Sequence, residues 1–233
     1  MNATEADLQP LADDAWLLRF GDAIAPATLA RVHALCARVR AASPPWLRDL
    51  VPAYASVGVF FDPAVADAEA VRDWLRQQCA ALDEDSVAAT PTRTVEIPVA
   101  YGGEFGPDLE AAAQALGIPA DALAARHAAG DYTVAMIGFA PGFPYLAGLD
   151  PALALPRLAT PRTRVPAGSV AIGGAQTGIY PRESPGGWRL LGRTPLRLFD
   201  PQRTPPALLA PGDRVRFRAI GADEFARLAA RES

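Results

Sequence analysis

The run Tyr180-Pro181-Arg182-Glu183-Ser184-Pro185-Gly186-Gly187-Trp188 sets a carboxylate, a cation, hydroxyls and a large aromatic beside tight turns. Glu183 is the only acid between Asp150 and Asp200. It either pairs with a neighbouring arginine or, if desolvated, acts as a general base. Arg162 and Arg164, then Arg182, Arg189 and Arg193, are the candidate cations; a guanidinium gives a planar, two-pronged grip on carboxylate or phosphate. Gly173-Gly174-Ala175-Gln176-Thr177-Gly178 has the glycine density of a loop whose backbone N–H groups approach an anion. It continues Ile-Tyr rather than Lys-Ser, which excludes a Walker A loop. A hairpin with positive-φ turn positions reads the same residues equally well. No G-x-S-x-G elbow surrounds Ser184 and no His adjoins it, so a serine-hydrolase triad is not expected. Phe139, Phe143 and Tyr145 punctuate a Gly/Pro loop. Phe139 reads as a core plug, and Tyr145 as a pocket residue whose hydroxyl needs a partner.

Composition narrows the chemistry further. All 22 basic residues are Arg, so a Schiff-base lysine, a lysine phosphate clamp and a biotinyl-lysine are excluded. His33, His127, Cys36 and Cys79 are too few for a zinc-finger ligand set, and no metal site is expected in the chain. Cys36 and Cys79 fall on apolar helix faces and read as reduced core residues. Residues 1–90 hold 7 Arg against 13 acids, whereas residues 157–218 hold 11 Arg against Glu183, Asp200 and Asp213. This asymmetry points to two units. The net charge of −4 argues against a nucleic-acid partner. No apolar run is long enough to span a bilayer, and Met1–Pro10 lacks signal-peptide character, so the expectation is a cytoplasmic protein without a membrane partner.

These candidates need elements to hold them. Ala15–Phe20 reads as a strand, Pro26–Ala42 as an amphipathic helix stopped by Pro44-Pro45, Leu50–Ala53 and Ser56–Phe61 as strands, and Ala64–Leu82 as a second helix. The order β-α-β-β-α is most of a split β-α-β, ferredoxin-like plan. Its last strand comes from Thr94–Val99 or from outside this pattern. Polar, aperiodic Asp83–Arg93 marks the boundary: residues 1–85 form the first domain, 86–93 the linker and 94–233 the second domain. Two short helices follow, one ending near Gly117 and one capped by Gly130. From Asp131 onward, Tyr132–Phe139, Ser169–Ile172, Trp188–Leu191, Leu196–Phe199 and Arg214–Ala219 alternate with Gly/Pro turns. That texture favours a small closed β-barrel.

Two stretches, Ile137–Leu146 (IGFAPGFPYL) and Leu158–Pro195 (LATPRTRVPAGSVAIGGAQTGIYPRESPGGWRLLGRTP), resemble the allophanate hydrolase subunit 1 family. That family includes the KipI proteins and the B subunit of bacterial 5-oxoprolinase. The resemblance extends over essentially the whole chain. It implies an α+β fold with a ferredoxin-like N-terminal domain and a cyclophilin-like C-terminal β-barrel. It also implies an allophanate hydrolase subunit 2 type partner, a third hydrolase subunit, and ATP-driven opening of 5-oxoproline to glutamate. ATP would be shared with the partner, and any Mg would arrive with it. Other members imply inhibition of a sensor histidine kinase, or a carboxyltransferase role on urea or allophanate. The family's motif commonly has His at the position of His127, which makes that residue the candidate for proton transfer, with Glu183 beside it in the catalytic set. Arg162, Arg164, Gly173, Gly174, Gln176, Tyr180, Arg182 and Tyr145 are the candidates for holding substrate or phosphate.

Overall fold

Apolar side chains in Ser56–Phe61 and in Ala15–Leu18 build the two central strands of a sheet. The structure, a computed structural model, describes residues 6–82 and 93–232. The chain divides into two compact units, Met1–Pro91 and Thr92–Ser233. The first contains β1 (Asp7–Ala12), β2 (Ala15–Arg19), α1 (Pro26–Ala42), β3 (Leu47–Pro52), β4 (Ser56–Phe61) and α2 (Ala68–Ala80). Its sheet runs β1-β2-β4-β3 with every neighbouring pair antiparallel.

Proline at the first turn of α1 supplies a preset φ, and Ser43 closes the helix in the left-handed region with its N–H on the Val39 carbonyl. Asp67 caps α2 by accepting from the Ala70 N–H at 2.8 Å. Leu35 and Val39 of α1 and Val71 and Leu75 of α2 close over Leu18, Val57, Val59 and Phe61 of the sheet. Cys36 and Cys79 are free and buried in this core, where burial pushes both thiols up to about 11. The fourth strand differs from the expectation. Thr94–Val99 belongs to the second unit, and β1 supplies the outer strand from the N-terminal side of β2. Five of the six β1 residues are exposed, so no apolar period marks it in the sequence.

The second unit contains β5 (Thr94–Tyr101), α3 (Leu109–Leu116), α4 (Ala120–Ala128), β6 (Tyr132–Ile137), β7 (Pro144–Ala147), β8 (Arg162–Val165), β9 (Ser169–Gly173), β10 (Gln176–Ile179), β11 (Ser184–Gly186), β12 (Arg189–Arg193), β13 (Arg214–Ile220) and α5 (Ala222–Glu232). Seven strands close a barrel in the order β10-β7-β6-β13-β5-β12-β9, and β8 and β11 form a separate two-stranded ribbon. Only β13 and β5 pair in parallel, from Arg214↔Thr94 to Ile220↔Ala100. Ile97, Val99, Val134, Leu146, Ile172, Leu191 and Val215 fill the barrel core.

Three local expectations change. Leu196–Phe199 forms no strand beyond a single bridge from Phe199 to Ala207; Pro195, Pro201, Pro205 and Pro206 withhold the N–H groups a ladder needs. Gly130 is not a left-handed cap, because α4 closes at Ala129 in right-handed geometry. Its lack of a Cβ instead makes room for the Tyr132 ring, 2.4 Å from where that atom would lie. The 1–85 boundary and the 86–93 linker fall outside the described residues, except Arg93. That residue is tied into the second unit through Asp213 and, at 2.7 Å, the Leu208 carbonyl.

Candidate functional site

Alternation along β9 and β10 sorts side chains to the two faces of the barrel wall. Val170, Ile172 and Ile179 turn to the barrel core, while Ala171 belongs to a second cluster with Phe143, Val165, Tyr180, Trp188 and Leu190. A cavity of about 280 Å³ opens there, lined by Phe139, Phe143, Tyr145, Arg157, Tyr180 and Trp188 among others. Its rings meet edge to face: Phe143 lies 5.2 Å from Tyr180 and 5.7 Å from Trp188, and Tyr145 lies 5.9 Å from Trp188. Glycines make this packing possible. A Cβ on Gly173 would stand 2.6 Å from the Trp188 ring, and one on Gly186 would stand 2.3 Å from the Tyr180 hydroxyl oxygen.

The polar groups of this cavity are few and differently placed. Burial, the largest effect, raises the Tyr180 phenol above its usual range, while a backbone hydrogen bond from Trp188 and the charges of Arg157 and Arg162 oppose it. Tyr180 therefore stays protonated at neutral pH. Its oxygen accepts from the backbone, which leaves its own O–H as a donor. The Arg157 guanidinium carbon lies over the Trp188 ring, 5.8 Å from its centre. It has no carboxylate partner among the described residues. Phe139 guards the mouth. Its φ is +66°, an Ala140 N–H to Gly138 carbonyl bond of 2.7 Å closes a tight turn around it, and 62% of it is exposed. The structure thus places Phe139 at a pocket rim and not in the core.

The sequence candidates separate into several places. Tyr145 and Tyr180 meet in the aromatic cavity, and Gly173 shapes it. Gly174 and Gln176 form the β9–β10 hairpin; Gly174 sits at φ +65° with its N–H engaged by the Leu155 carbonyl at 2.7 Å, and Gln176 pairs with Gly173. Arg162 donates to Asp108 at 2.6 Å, and the other Asp108 oxygen accepts from the Leu190 N–H at 2.7 Å. Arg164 and Glu183 grip each other in a two-pronged exposed pair at 2.9 and 3.2 Å, so Glu183 takes the ion-pair alternative. Arg182 lines a separate, wider cleft of about 510 Å³ with Arg193, Arg197, Asp200, Phe225 and Glu232.

His127 is fully buried where α4 docks on the barrel. Thr177 Oγ1 donates to the Ala171 carbonyl at 2.9 Å, so it accepts from His127 Nε2, also at 2.9 Å. Nδ1 then accepts from the Tyr101 hydroxyl at 2.8 Å. Burial pushes the imidazole down to about 3, and the ring is neutral at physiological pH. Both nitrogens are satisfied and the ring stacks on Phe217 at 4.9 Å, an arrangement that holds the wall together and offers no proton to solvent. Among the described residues no three His, Cys, Asp or Glu side chains converge as a metal group, and no helix is long and apolar enough to cross a membrane.

The cavity's cation, Arg157, carries no signal in the sequence. It belongs to the same arginine-rich stretch as the others, and nothing in its spacing sets it apart. Trp188 and Phe143 stand out as members of unusual motifs, but their meeting does not.

Known proteins share this architecture. The family described as carboxyltransferase domain, subdomain C and D, matches residues 6–209. The B subunit of 5-oxoprolinase from Bacillus subtilis (strain 168) is 41% identical over 228 residues, covering 94% of each chain. The crystal structure of TTHA0988 matches at a TM-score of 0.78 and 42% identity over 89% of this chain, which spans 40% of that one. Urea carboxylase from Kluyveromyces lactis matches all of this chain, and 23% of its own, at a TM-score of 0.72 and 19% identity. The last likeness is one of fold alone.

Proposed function

The chain belongs to the family of carboxyltransferase domains, subdomain C and D, and we propose that it works there as a non-autonomous subunit of a 5-oxoprolinase. In that reading it acts with an allophanate hydrolase subunit 2 type partner and a third hydrolase subunit to open 5-oxo-L-proline to L-glutamate at the expense of ATP. The observation that carries this reading is the 41% identity to a 5-oxoprolinase B subunit over 94% of both chains.

The chemistry agrees with a shared site. A lactam carbonyl is unreactive until it is polarised, which needs donors aimed at its oxygen and a cation for developing charge. The aromatic cavity offers the phenols of Tyr145 and Tyr180 and one guanidinium that holds no carboxylate among the described residues. Three of the residues that the sequence offers for a nucleoside triphosphate are already engaged within the chain. The Gly174 N–H is engaged by Leu155, and Arg162 and Arg164 already hold carboxylates. In this reading ATP is shared with the partner, and the glycine loop of this chain supplies no group to it.

Reconstitution tests the reading. The purified chain, its subunit 2 type partner and the hydrolase subunit together should release glutamate and ADP from 5-oxo-L-proline, and no subunit alone should do so. A complete complex that ignores 5-oxo-L-proline and turns over urea or allophanate would overturn it.

A further inference from the structure

The cavity on the outer barrel wall combines features that a structural hydrophobic cluster does not need. At about 280 Å³ it lies just below the range of roughly 300–1,000 Å³ that accommodates drug-sized molecules. It suits a single small ring. Its walls are the faces and edges of Phe143, Tyr145, Tyr180 and Trp188, which give it a largely apolar lining. Besides the Tyr145 hydroxyl, two polar groups line this apolar frame. One is the Tyr180 hydroxyl, whose oxygen is engaged by the backbone of Trp188 and whose proton is available. The other is Arg157.

Arg157 is set apart by its place over the Trp188 ring in the cavity, since Arg182, Arg189 and Arg193 likewise hold no carboxylate among the described residues. Arg126, Arg162, Arg164, Arg214 and Arg218 each hold a carboxylate at 2.6–2.9 Å. Arg157 holds none among the described residues, yet it lies against the Trp188 ring with its donors open. A guanidinium over a ring face, with no carboxylate partner, has its planar N–H fork to offer a planar anion. The mouth is also specialised: Phe139 is exposed and held in the left-handed region, a backbone conformation that costs about 1 kcal/mol or more for a bulky residue and that clusters at functional sites.

We propose that this cavity binds a small cyclic amide carrying a carboxylate, with Arg157 gripping the carboxylate, Tyr180 donating to the amide carbonyl oxygen and Phe139 closing over the ring. The identification of that ring as 5-oxo-L-proline rests on the function proposed above; the class of ligand rests on the cavity. The Arg157 cation matches the carboxylate, and the Tyr180 hydroxyl matches the carbonyl. A triphosphate would need several cations and more room.

Calorimetric titration of the full chain tests this. 5-Oxo-L-proline should bind, 2-pyrrolidinone, which lacks the carboxylate, should bind roughly tenfold or more weakly, and L-proline, which lacks the carbonyl, should lose a similar factor. Arg157→Ala should abolish the preference for 5-oxo-L-proline over 2-pyrrolidinone, and Arg157→Lys should restore part of it. Arg157 is exposed and bonded to no carboxylate among the described residues, so both variants should fold as wild type does. No binding by the wild-type chain, or an unchanged preference in Arg157→Ala, overturns the proposal. The reading of the whole complex fails separately: glutamate release by the reconstituted enzyme with KM unmoved by Arg157→Ala would retain the function and remove the cavity. Carboxylate-dependent binding without any turnover would do the reverse.

Discussion

Where α4 meets the barrel, His127 donates to Thr177, accepts from Tyr101 and stacks on Phe217, with no exposed surface. Its pKa of about 3 against an ordinary 6.5 is a stability statement. Below pH 6.5 the unfolded chain binds a proton on this residue and the folded chain does not, until the pH reaches about 3. The stabilisation is therefore complete above pH 6.5 and declines as pH falls, at about 1.4 kcal/mol per pH unit. Wild type should lose about 2 kcal/mol from this residue between pH 7.5 and pH 5, seen as a lower urea midpoint. His127→Gln, which cannot titrate there, should be less stable at pH 7.5 but show a flatter dependence. Equal slopes for the two proteins would assign the acid sensitivity elsewhere. Phe139 offers the opposite exchange. Phe139→Gly relieves a left-handed φ but adds freedom to the unfolded chain, so stability should stay within about 1 kcal/mol of wild type. Because Phe139 closes the proposed cavity, affinity for 5-oxo-L-proline should nonetheless fall several-fold, to the order of 1 kcal/mol. A variant that unfolds, or that binds as tightly as wild type, contradicts that role.

At the scale of elements, the β8–β11 ribbon shows why neighbouring arginines are not equivalent. Arg162 bonds an Asp108 carboxylate that also accepts the Leu190 N–H of β12, so this pair fastens the ribbon to the barrel. Arg162→Ala leaves a mostly buried carboxylate with one partner fewer and should cost about 1.5–3 kcal/mol. Arg164 and Glu183 lie on the surface, and Arg164→Ala should leave the melting temperature unchanged. A thermal melt of both variants decides; a larger loss in Arg164→Ala would invert the assignment. The ribbon also marks how far sequence carries. The motifs Ile137–Leu146 and Leu158–Pro195 are legible as unusual, and they contain Phe139, Phe143, Tyr145, Tyr180 and Trp188. What joins the two is the β10–β7 register, Gly178 opposite Tyr145, a pairing between distant strands that no local period encodes. Arg157 lies one residue outside the second motif, and only its position over Trp188 distinguishes it. His127 sits on a short helix, so its inward direction depends on how α4 docks onto the barrel. Polar β1 is hidden for a simpler reason: an edge strand facing solvent needs no apolar face.

At the scale of the whole molecule, each of the two units has a main core of its own among the described residues. Leu18, Leu35, Val57, Phe61 and Leu75 anchor the first, and Ile97, Val134, Leu146, Ile172 and Val215 anchor the second. The charge asymmetry read from the sequence follows the same division, with acids in excess in the first unit. Closure of the barrel depends on both of its ends. β5 opens the second unit, and β13, more than a hundred residues later, pairs with it over seven positions. Arg93 reinforces that junction through Asp213 and the Leu208 carbonyl. A fragment spanning 93–233 therefore retains every strand of the barrel, whereas one ending at 211 loses β13 and leaves edges on β5 and β6. The longer fragment should show a single cooperative melt by circular dichroism and should bind 5-oxo-L-proline with the affinity of the full chain, because each cavity residue lies within it. The fragment 1–91 should melt independently, and 93–211 should not fold. A cooperative melt for 93–211 would mean that β13 does not close the barrel, and failure of 93–233 to fold would mean that the second core is incomplete without the first unit.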